Sequence, residues 1–182
     1  MTDVKIREVS PQDAHEVWRL HDIAYNSTGH FFTMDHQEYN ATPQSTKRWI
    51  RRVIISDADV GLVATIDGKV VGTIFVEESK QRKLQGVVEV TMITVDPEHR
   101  GKSIGLMLGC NAYMRVLENP GVRKGYVRIV ESNTYISQVI EKTCQSLGID
   151  SQVEGRFIDY LGNPDGTFSN VIFISIDLRG DQ

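Results

Sequence analysis

Residues 89–105 read Glu89-Val90-Thr91-Met92-Ile93-Thr94-Val95-Asp96-Pro97-Glu98-His99-Arg100-Gly101-Lys102-Ser103-Ile104-Gly105 and carry the most informative pattern in the sequence. The first seven of these residues are rich in β-branched side chains and predict a strand that ends at Val95. A turn containing glycine then leads directly into a predicted helix. The free amides and positive dipole end of such a helix form a natural phosphate site. The stretch therefore predicts an anionic cofactor.

Two common phosphate motifs do not account for this stretch. Gly101-Lys102-Ser103 resembles the end of a P-loop, but the earlier glycine of that motif would stand where the chain has Asp96. A carboxylate at that position would face the phosphates. No G-x-G-x-x-G sequence follows any predicted strand, so the ATPase and dinucleotide interpretations both lose support.

Alternation and helical periodicity predict strands and helices along the whole chain. The predicted helices run from Ser10-Pro11 to about Tyr25 and over Pro43–Ile55, Ser103–Glu118 and Asn133–Leu147. Residues 25–39 lack periodicity and are predicted to be a loop. The predicted strands are Val4–Val9, Val60–Ile66, Val70–Glu78, Gln85–Val95, Gly125–Val130, Gln152–Tyr160 and Val171–Leu178.

Composition limits the classes of partner. The 182 residues are 40% hydrophobic and 24% charged, which predicts one globular domain over residues 1–182. A formal net charge of −4 argues against nucleic acid as the default partner. No stretch approaches the roughly 20 apolar residues of a spanning helix, and the first residues lack the order of a signal peptide, so we expect no membrane partner and a cytoplasmic location.

Cysteine and histidine usage predicts neither a disulfide scaffold nor a metal site. Cys110 and Cys144 are too few for either and form no C-x-x-C pair. His30 and His36, with Asp35 between them, match no standard metal-ligand spacing. No motif links the histidines to a cysteine nucleophile. The sequence therefore favours a reaction in which the substrates react directly with each other, without a covalent intermediate on the protein.

Residues 95–105 resemble motif A of the GNAT superfamily of acyl-CoA-dependent N-acetyltransferases, in which Arg/Gln-x-x-Gly-x-Gly/Ala follows a V-x-P-x-x strand end. The resemblance extends to the order of elements over nearly the whole chain, including Asn133 and Leu147-Gly148-Ile149. It implies an α/β (α+β) GNAT fold, a mixed, twisted sheet of about seven strands with about four helices. It also implies acetyl transfer from acetyl-CoA to a primary amine of a small molecule or protein. The alternative is a CoA-binding or regulatory module that has lost catalysis.

The resemblance assigns the cofactor-binding residues. Backbone amides of the turn would hold the pyrophosphate of CoA, and the strand edge at Ile93, Thr94 and Val95 would pair with the pantetheine arm. Asn133, which opens the next helix, completes the set. One departure is Ser103, which stands at a glycine position and places a Cβ where phosphate approaches. The turn residues are Arg100, Gly101, Lys102, Ser103, Ile104 and Gly105.

Glu89 is the candidate general base. Its position six residues before Val95 resembles that of the glutamate base in the histone-acetyltransferase branch of the family. Strand alternation predicts that Glu89 shares a face with Thr91, Ile93 and Val95. The alternative is an ordinary surface or ion-paired strand glutamate.

The general acid is left open. Many relatives place a tyrosine seven residues after the helix-opening asparagine, which here is Ile140, and counting back from Gly148 reaches Cys144. Neither residue is a tyrosine. Tyr135, Cys144 and Tyr160 remain possible donors, and a thiolate leaving group with a thiol pKa of about 8.5 can depart without one.

Relatives build the acceptor pocket from the segment after the first helix and from the last two strands. Here this means residues 25–39, with aromatic and acidic side chains, and Glu154-Gly155-Arg156-Phe157. These side chains would suit a cationic amine with an apolar portion, or would simply cover the core. A homodimer is possible, and the acyl preference is open. The residues concerned in the first segment are His30, Phe31, Phe32, Met34, Asp35 and Glu38.

Overall fold

The computed structural model describes residues 3–28, 40–81, 84–163 and 165–178. The helices are α1 (Ala14–Thr28), α2 (Pro43–Ile54), α3 (Ile104–Leu117) and α4 (Thr134–Leu147). Short 3-10 turns at Pro11–Asp13 and Pro97–His99 precede α1 and α3. The strands are β1 (Lys5–Glu8), β2 (Val60–Ile66), β3 (Lys69–Glu78), β4 (Val87–Val95), β5 (Lys124–Val130), β6 (Ser151–Gly162) and β7 (Phe168–Asp177).

One mixed sheet joins the seven strands in the order β1-β2-β3-β4-β5-β7-β6. Only the β4–β5 pair is parallel, and every other neighbouring pair in this sheet is antiparallel. The predicted fold class, a mixed sheet of seven strands with four helices, is therefore confirmed. Among the helices that the structure describes, none has both the length and the apolar character to cross a bilayer.

Local sequence explains where several of the elements begin and end. Thr42 accepts a hydrogen bond from the Ser45 amide and caps α2, with proline at its first position. Asp67 and Gly68 both have positive φ, at 50° and 80°, and close the predicted tight turn between β2 and β3. Gly148, at φ 64°, ends α4 in the left-handed conformation.

The end of α1 differs from the prediction. The helix continues through Thr28, whereas the polar run after Tyr25 predicted a loop. Ala24 and Tyr25 are buried three and four residues after the buried His21, so the core-facing stripe extends further than the polar neighbours suggested. Residues 29–39, the rest of that predicted loop, lie outside the described residues.

The core lies on both faces of the sheet. On one face, α1 and α2 bury Val17, Leu20, Ile50 and Val53 against β2 and β3. On the other face, α3 and α4 pack over the centre of the sheet through the buried Ile104, Leu108, Val116 and Val139. Each fully buried aliphatic side chain contributes about 1.5–3 kcal/mol, so these two layers hold the sheet that carries the site.

Candidate active site

A cleft opens between β4 and β5. The two strands pair only where Val87, Val88 and Glu89 lie opposite Lys124, Gly125 and Tyr126. Beyond that point β4 continues to Val95 without a strand paired to its β5-facing edge in the part of the chain that the structure describes. Six residues of strand span about 20 Å, so the cleft can take an extended ligand arm along a free backbone edge.

The outer end of the cleft is the turn that precedes α3. Gly101 and Ser103 both have positive φ, at 77° and 59°. The first hydrogen bond of α3 runs from the Met107 amide to the Ser103 carbonyl. The amides of Ile104 and Gly105 therefore have no acceptor within the helix. The exposed side chains of Arg100 and Lys102 add positive charge beside them. This arrangement suits a diphosphate group.

Ser103 is the one residue of this turn that departs from the expected glycine. A side chain in the left-handed conformation costs about 1–2 kcal/mol, and the Ser103 hydroxyl makes no capping hydrogen bond. The turn nevertheless keeps the backbone path that exposes the amides. Serine at this position therefore strains the turn without closing it.

Thr94 lies on the part of β4 that is not paired with β5 and, within the described part of the chain, carries an unsatisfied polar group. Its side chain is buried, and its Oγ1 has no hydrogen-bond partner among the described residues. A buried hydroxyl without a partner is unfavourable. The backbone groups on the free edge of β4 lie in the plane of the sheet and can pair with the amide groups of a ligand arm. The turn and the strand edge together fit a cofactor with a diphosphate head and an extended amide-bearing arm.

The inner end of the cleft holds Glu89. Its Oε2 accepts a hydrogen bond from the Tyr126 hydroxyl at 2.7 Å, and its Oε1 accepts one from Arg128 Nε at 2.6 Å. The Glu89 side chain is 15% exposed and that of Arg128 is 40% exposed. Burial, reinforced by the hydrogen bond to Glu89, raises the pKa of Tyr126 to about 12. Tyr126 is therefore a permanent donor to Glu89 near neutral pH.

The predicted face of Glu89 is right for Thr91 and wrong for Ile93 and Val95. Phe75 lies opposite Met92 and Val76 lies opposite Val90, so Thr91 is an extra residue, a β-bulge in β4. Val88, Val90, Ile93 and Val95 all pack into the core under α3 and α4, and Glu89 points to the opposite face. The Thr91 hydroxyl donates to Glu77 Oε2 at 2.9 Å on that opposite face. Simple alternation fails because the bulge reverses the side-chain order.

The three candidate acids lie apart from one another. The Arg100 guanidinium is 5.8 Å from the centroid of the Tyr135 ring, which places Tyr135 beside the α3 turn. Cys144 is buried in α4, where desolvation raises the pKa of its thiol. Tyr160 lies on β6, with its ring 5.2 Å from that of Phe157. The hydroxyl that contacts Glu89 belongs instead to Tyr126.

Tyr126 and Arg128 were not identified from the sequence. They alternate on β5 and so share one face of it, which is the only local signal they carry. Tyr126 lies 37 residues after Glu89 in the sequence, and Arg128 lies 39 residues after it. The register of the parallel β4–β5 pair brings the three side chains together.

Asn133, a predicted cofactor-binding residue, caps α4 by accepting a hydrogen bond from the Ile136 amide at 3.2 Å.

The predicted acceptor residues are described only on the last two strands. The Glu154 carboxylate accepts hydrogen bonds from Lys124 Nζ at 2.9 Å and Ser175 Oγ at 2.5 Å. Arg156 donates to Glu131 at 2.6 Å. The Phe157 and Phe173 rings are 4.9 Å apart and begin an aromatic patch with Tyr160. The predicted residues His30, Phe31, Phe32, Met34, Asp35 and Glu38, and with them His36, lie outside the described residues.

A sequence model described as the acetyltransferase (GNAT) family matches residues 15–144. The chain belongs to the GNAT acetyltransferase family. No curated protein matches this GNAT acetyltransferase at the significance required.

Solved structures share the fold of this GNAT acetyltransferase at low identity. An acetyltransferase of the GNAT family from Streptococcus pneumoniae has a TM-score of 0.81 at 17% identity, covering 96% of this chain and 99% of its own. Salmonella typhimurium yncA, solved with acetyl-CoA, has a TM-score of 0.82 at 17% identity, covering 98% and 95%. A phosphinothricin acetyltransferase from Sinorhizobium meliloti, in complex with acetyl-CoA, has a TM-score of 0.78 at 18% identity, covering 96% and 88%.

Proposed function

We propose that this GNAT acetyltransferase transfers the acetyl group of acetyl-CoA to a primary amine by direct attack in a ternary complex. Acetyl-CoA is the cofactor. The observation that carries the proposal is the cleft between β4 and β5, which opens at Glu89 and ends at the free amides of α3. Three solved structures with this fold are a ribosomal-protein-alanine N-acetyltransferase, a phosphinothricin acetyltransferase and a spermidine N-acetyltransferase. Their names support an amine acceptor and leave its kind open.

Binding of the cofactor is assigned to backbone groups. The amides of residues 100–105 would hold the diphosphate, with Arg100 and Lys102 adding charge, and the edge at Ile93, Thr94 and Val95 would pair with the pantetheine arm. Asn133 contributes by fixing the first turn of α4. Bound acetyl-CoA supplies an acetyl group activated as a thioester. Amides of the free β4 edge would stabilise negative charge on the reacting carbonyl.

Glu89 is assigned the role of general base. An alkyl amine is nearly all protonated at pH 7, so attack requires a group that removes a proton. Each carboxylate oxygen can accept more than one hydrogen bond, so Glu89 can accept an amine proton while it is held by Tyr126 and Arg128. The thiolate leaving group needs no strong acid, and Tyr135, Cys144 and Tyr160 remain candidates for that proton.

The first experiment is thermal unfolding with acetyl-CoA, CoA, ATP or NAD. A ligand at one hundred times its Kd stabilises the folded chain by about 2.7 kcal/mol, which for this length raises Tm by about 5–10 °C. We expect that rise with acetyl-CoA and CoA only. A rise with ATP or NAD alone would contradict the cofactor assignment.

The second experiment substitutes Glu89→Gln. We expect kcat/KM on amino acids, polyamines and peptides to fall by about 10²–10⁴ while the CoA-induced rise in Tm is kept. Glu141→Gln, on the exposed face of α4, is the matched control and should retain wild-type activity. Wild-type rates from Glu89→Gln would exclude Glu89 as the base.

The second candidate function is a CoA-binding or regulatory module without catalysis. The strained Ser103 and the pairing of Glu89 with Arg128 favour it, because both depart from an open, reactive site. Binding of CoA by the wild type without acetyl transfer to any amine would select this candidate.

A further inference from the structure

The Arg128 guanidinium uses only part of its hydrogen-bonding capacity within the described part of the protein. Its Nε donates to Glu89, while its two Nη nitrogens have no hydrogen-bond acceptor among the described residues. The side chain is 40% exposed and lies where β4 and β5 begin to separate. Glu89 thus holds the guanidinium in one orientation and leaves its end-on pair of donors available to a ligand.

The surroundings of Arg128 favour a ligand with both charge and apolar surface. Arg128 lies opposite Phe173 on β7, whose ring is 4.9 Å from that of Phe157, and the Phe157 ring is 5.2 Å from that of Tyr160. On the same sheet, the Glu154 carboxylate is occupied by Lys124 and Ser175. Within the described structure, Arg128 is therefore a cation with free hydrogen-bond donors, and it lies beside an aromatic patch.

We propose that Arg128 binds a carboxylate or similar oxyanion of the acceptor, so that the acceptor is an amino acid. A planar guanidinium with two parallel donors matches a carboxylate in a bidentate pair. An amino acid carries its amine next to its carboxylate, and the Glu89–Arg128 pair presents the opposite charges side by side. A zwitterion laid across this pair directs its amine to Glu89 and its carboxylate to Arg128. This inference rests on the proposed function.

The test compares acceptors that differ only in the carboxylate. L-phenylalanine, L-methionine and L-leucine are each assayed beside their carboxamides and decarboxylated amines. A hydrogen-bonded charge is worth about 10- to 100-fold, so we expect the amino acids to exceed both analogues in kcat/KM by that factor. Calorimetry on the CoA-bound protein should show the same order of affinity.

Substitution of Arg128 separates ligand binding from a structural role. In Arg128→Gln the preference for the amino acid should fall to within about threefold, mainly through KM, and Arg128→Lys should retain part of it. A purely structural Arg128 would lower the rates of all acceptors equally and leave the preference unchanged. Arg115→Gln, which removes an exposed arginine paired with Glu8 and Glu118, is the control and should keep the wild-type preference.

Two results would overturn the inference. Equal or better turnover and binding of the carboxamides by the wild type would remove the oxyanion subsite, while acetyl transfer itself would stand. A wild type that neither acetylates nor binds any of the nine compounds would also overturn it. In that case, the Tm rise with acetyl-CoA would show whether the proposed function has failed as well.

Discussion

Ser103 strains the turn before α3, residues 100–105, which is the proposed phosphate site and is called the phosphate turn below. Its φ of 59° is left-handed, and Gly101, two residues earlier, has φ 77°. The turn needs left-handed backbone at both positions in order to present its amides, and only one of them is glycine. A Cβ at the other costs about 1–2 kcal/mol.

Ser103→Gly should therefore stabilise the protein by about 0.5–1 kcal/mol, because relief of the strain exceeds the extra freedom of glycine in the unfolded chain. Urea unfolding measures the change, and the affinity for acetyl-CoA should not fall. Ser146→Gly, on the exposed part of α4, is the control and should destabilise by about 0.5–1 kcal/mol. A loss of stability in Ser103→Gly would show that the serine hydroxyl compensates for the strain.

The close contact between α3 and α4 fixes the position of the helix that follows the phosphate turn. A Cβ on Gly109 would lie 2.5 Å from Thr143 Oγ1, and one on Gly105 would lie 3.0 Å from Val139 Cγ2. These glycines, one turn apart, let α4 pack directly against α3, whose N-terminus we propose as the phosphate site. The predicted role of Gly105 as an amide donor is compatible with this packing role.

Gly109→Ala should destabilise the protein by about 1–3 kcal/mol, because the new methyl group forces the two helices apart. Movement of α3 should also weaken acetyl-CoA binding, measured by calorimetry at a temperature where the variant stays folded. Gly155→Ala, whose Cβ would meet Phe157 at an ordinary 3.7 Å, should change stability by less than about 0.5 kcal/mol. Equal effects of the two substitutions would argue against the close contact.

At the scale of the whole molecule, His21 links global stability to pH. Its side chain is 2% exposed between α1 and the sheet, with Nε2 3.1 Å from Thr73 Oγ1. Burial lowers the pKa of His21 to about 3, whereas a histidine in the unfolded chain has a pKa of about 6.5. Below pH 6.5 the unfolded chain binds a proton that the folded chain refuses, so stability falls as pH falls toward 3.

This difference should cost about 2 kcal/mol of unfolding free energy between pH 7 and pH 5. His21→Leu should remove that part of the pH dependence, as measured by urea unfolding at the two pH values. His15→Gln, at an exposed position of α1, should keep it. The same loss of stability on acidification in wild type and His21→Leu would rule out His21 as its source.

Particular elements show why some features could be predicted from the sequence. Thr42-Pro43 sets the start of α2, Gly148 sets the end of α4, and Asp67-Gly68 forms the β2–β3 turn. The conformational preferences of these residues act within a few residues of the chain. The phosphate turn before α3 is equally local. The single domain over residues 1–182 and the cytoplasmic location stay predictions.

Short-range backbone preferences and side-chain periodicity predict the order of the elements and the turn before α3 from the sequence, and the resemblance to the GNAT family adds Glu89 as the candidate base. The face that Glu89 occupies and its hydrogen bonds with Tyr126 and Arg128 arise only when the distant strands pack together. The physical reason is that a bulge at Thr91 and the parallel register of β4 and β5 are set by packing between distant segments. No local pattern in either strand encodes them.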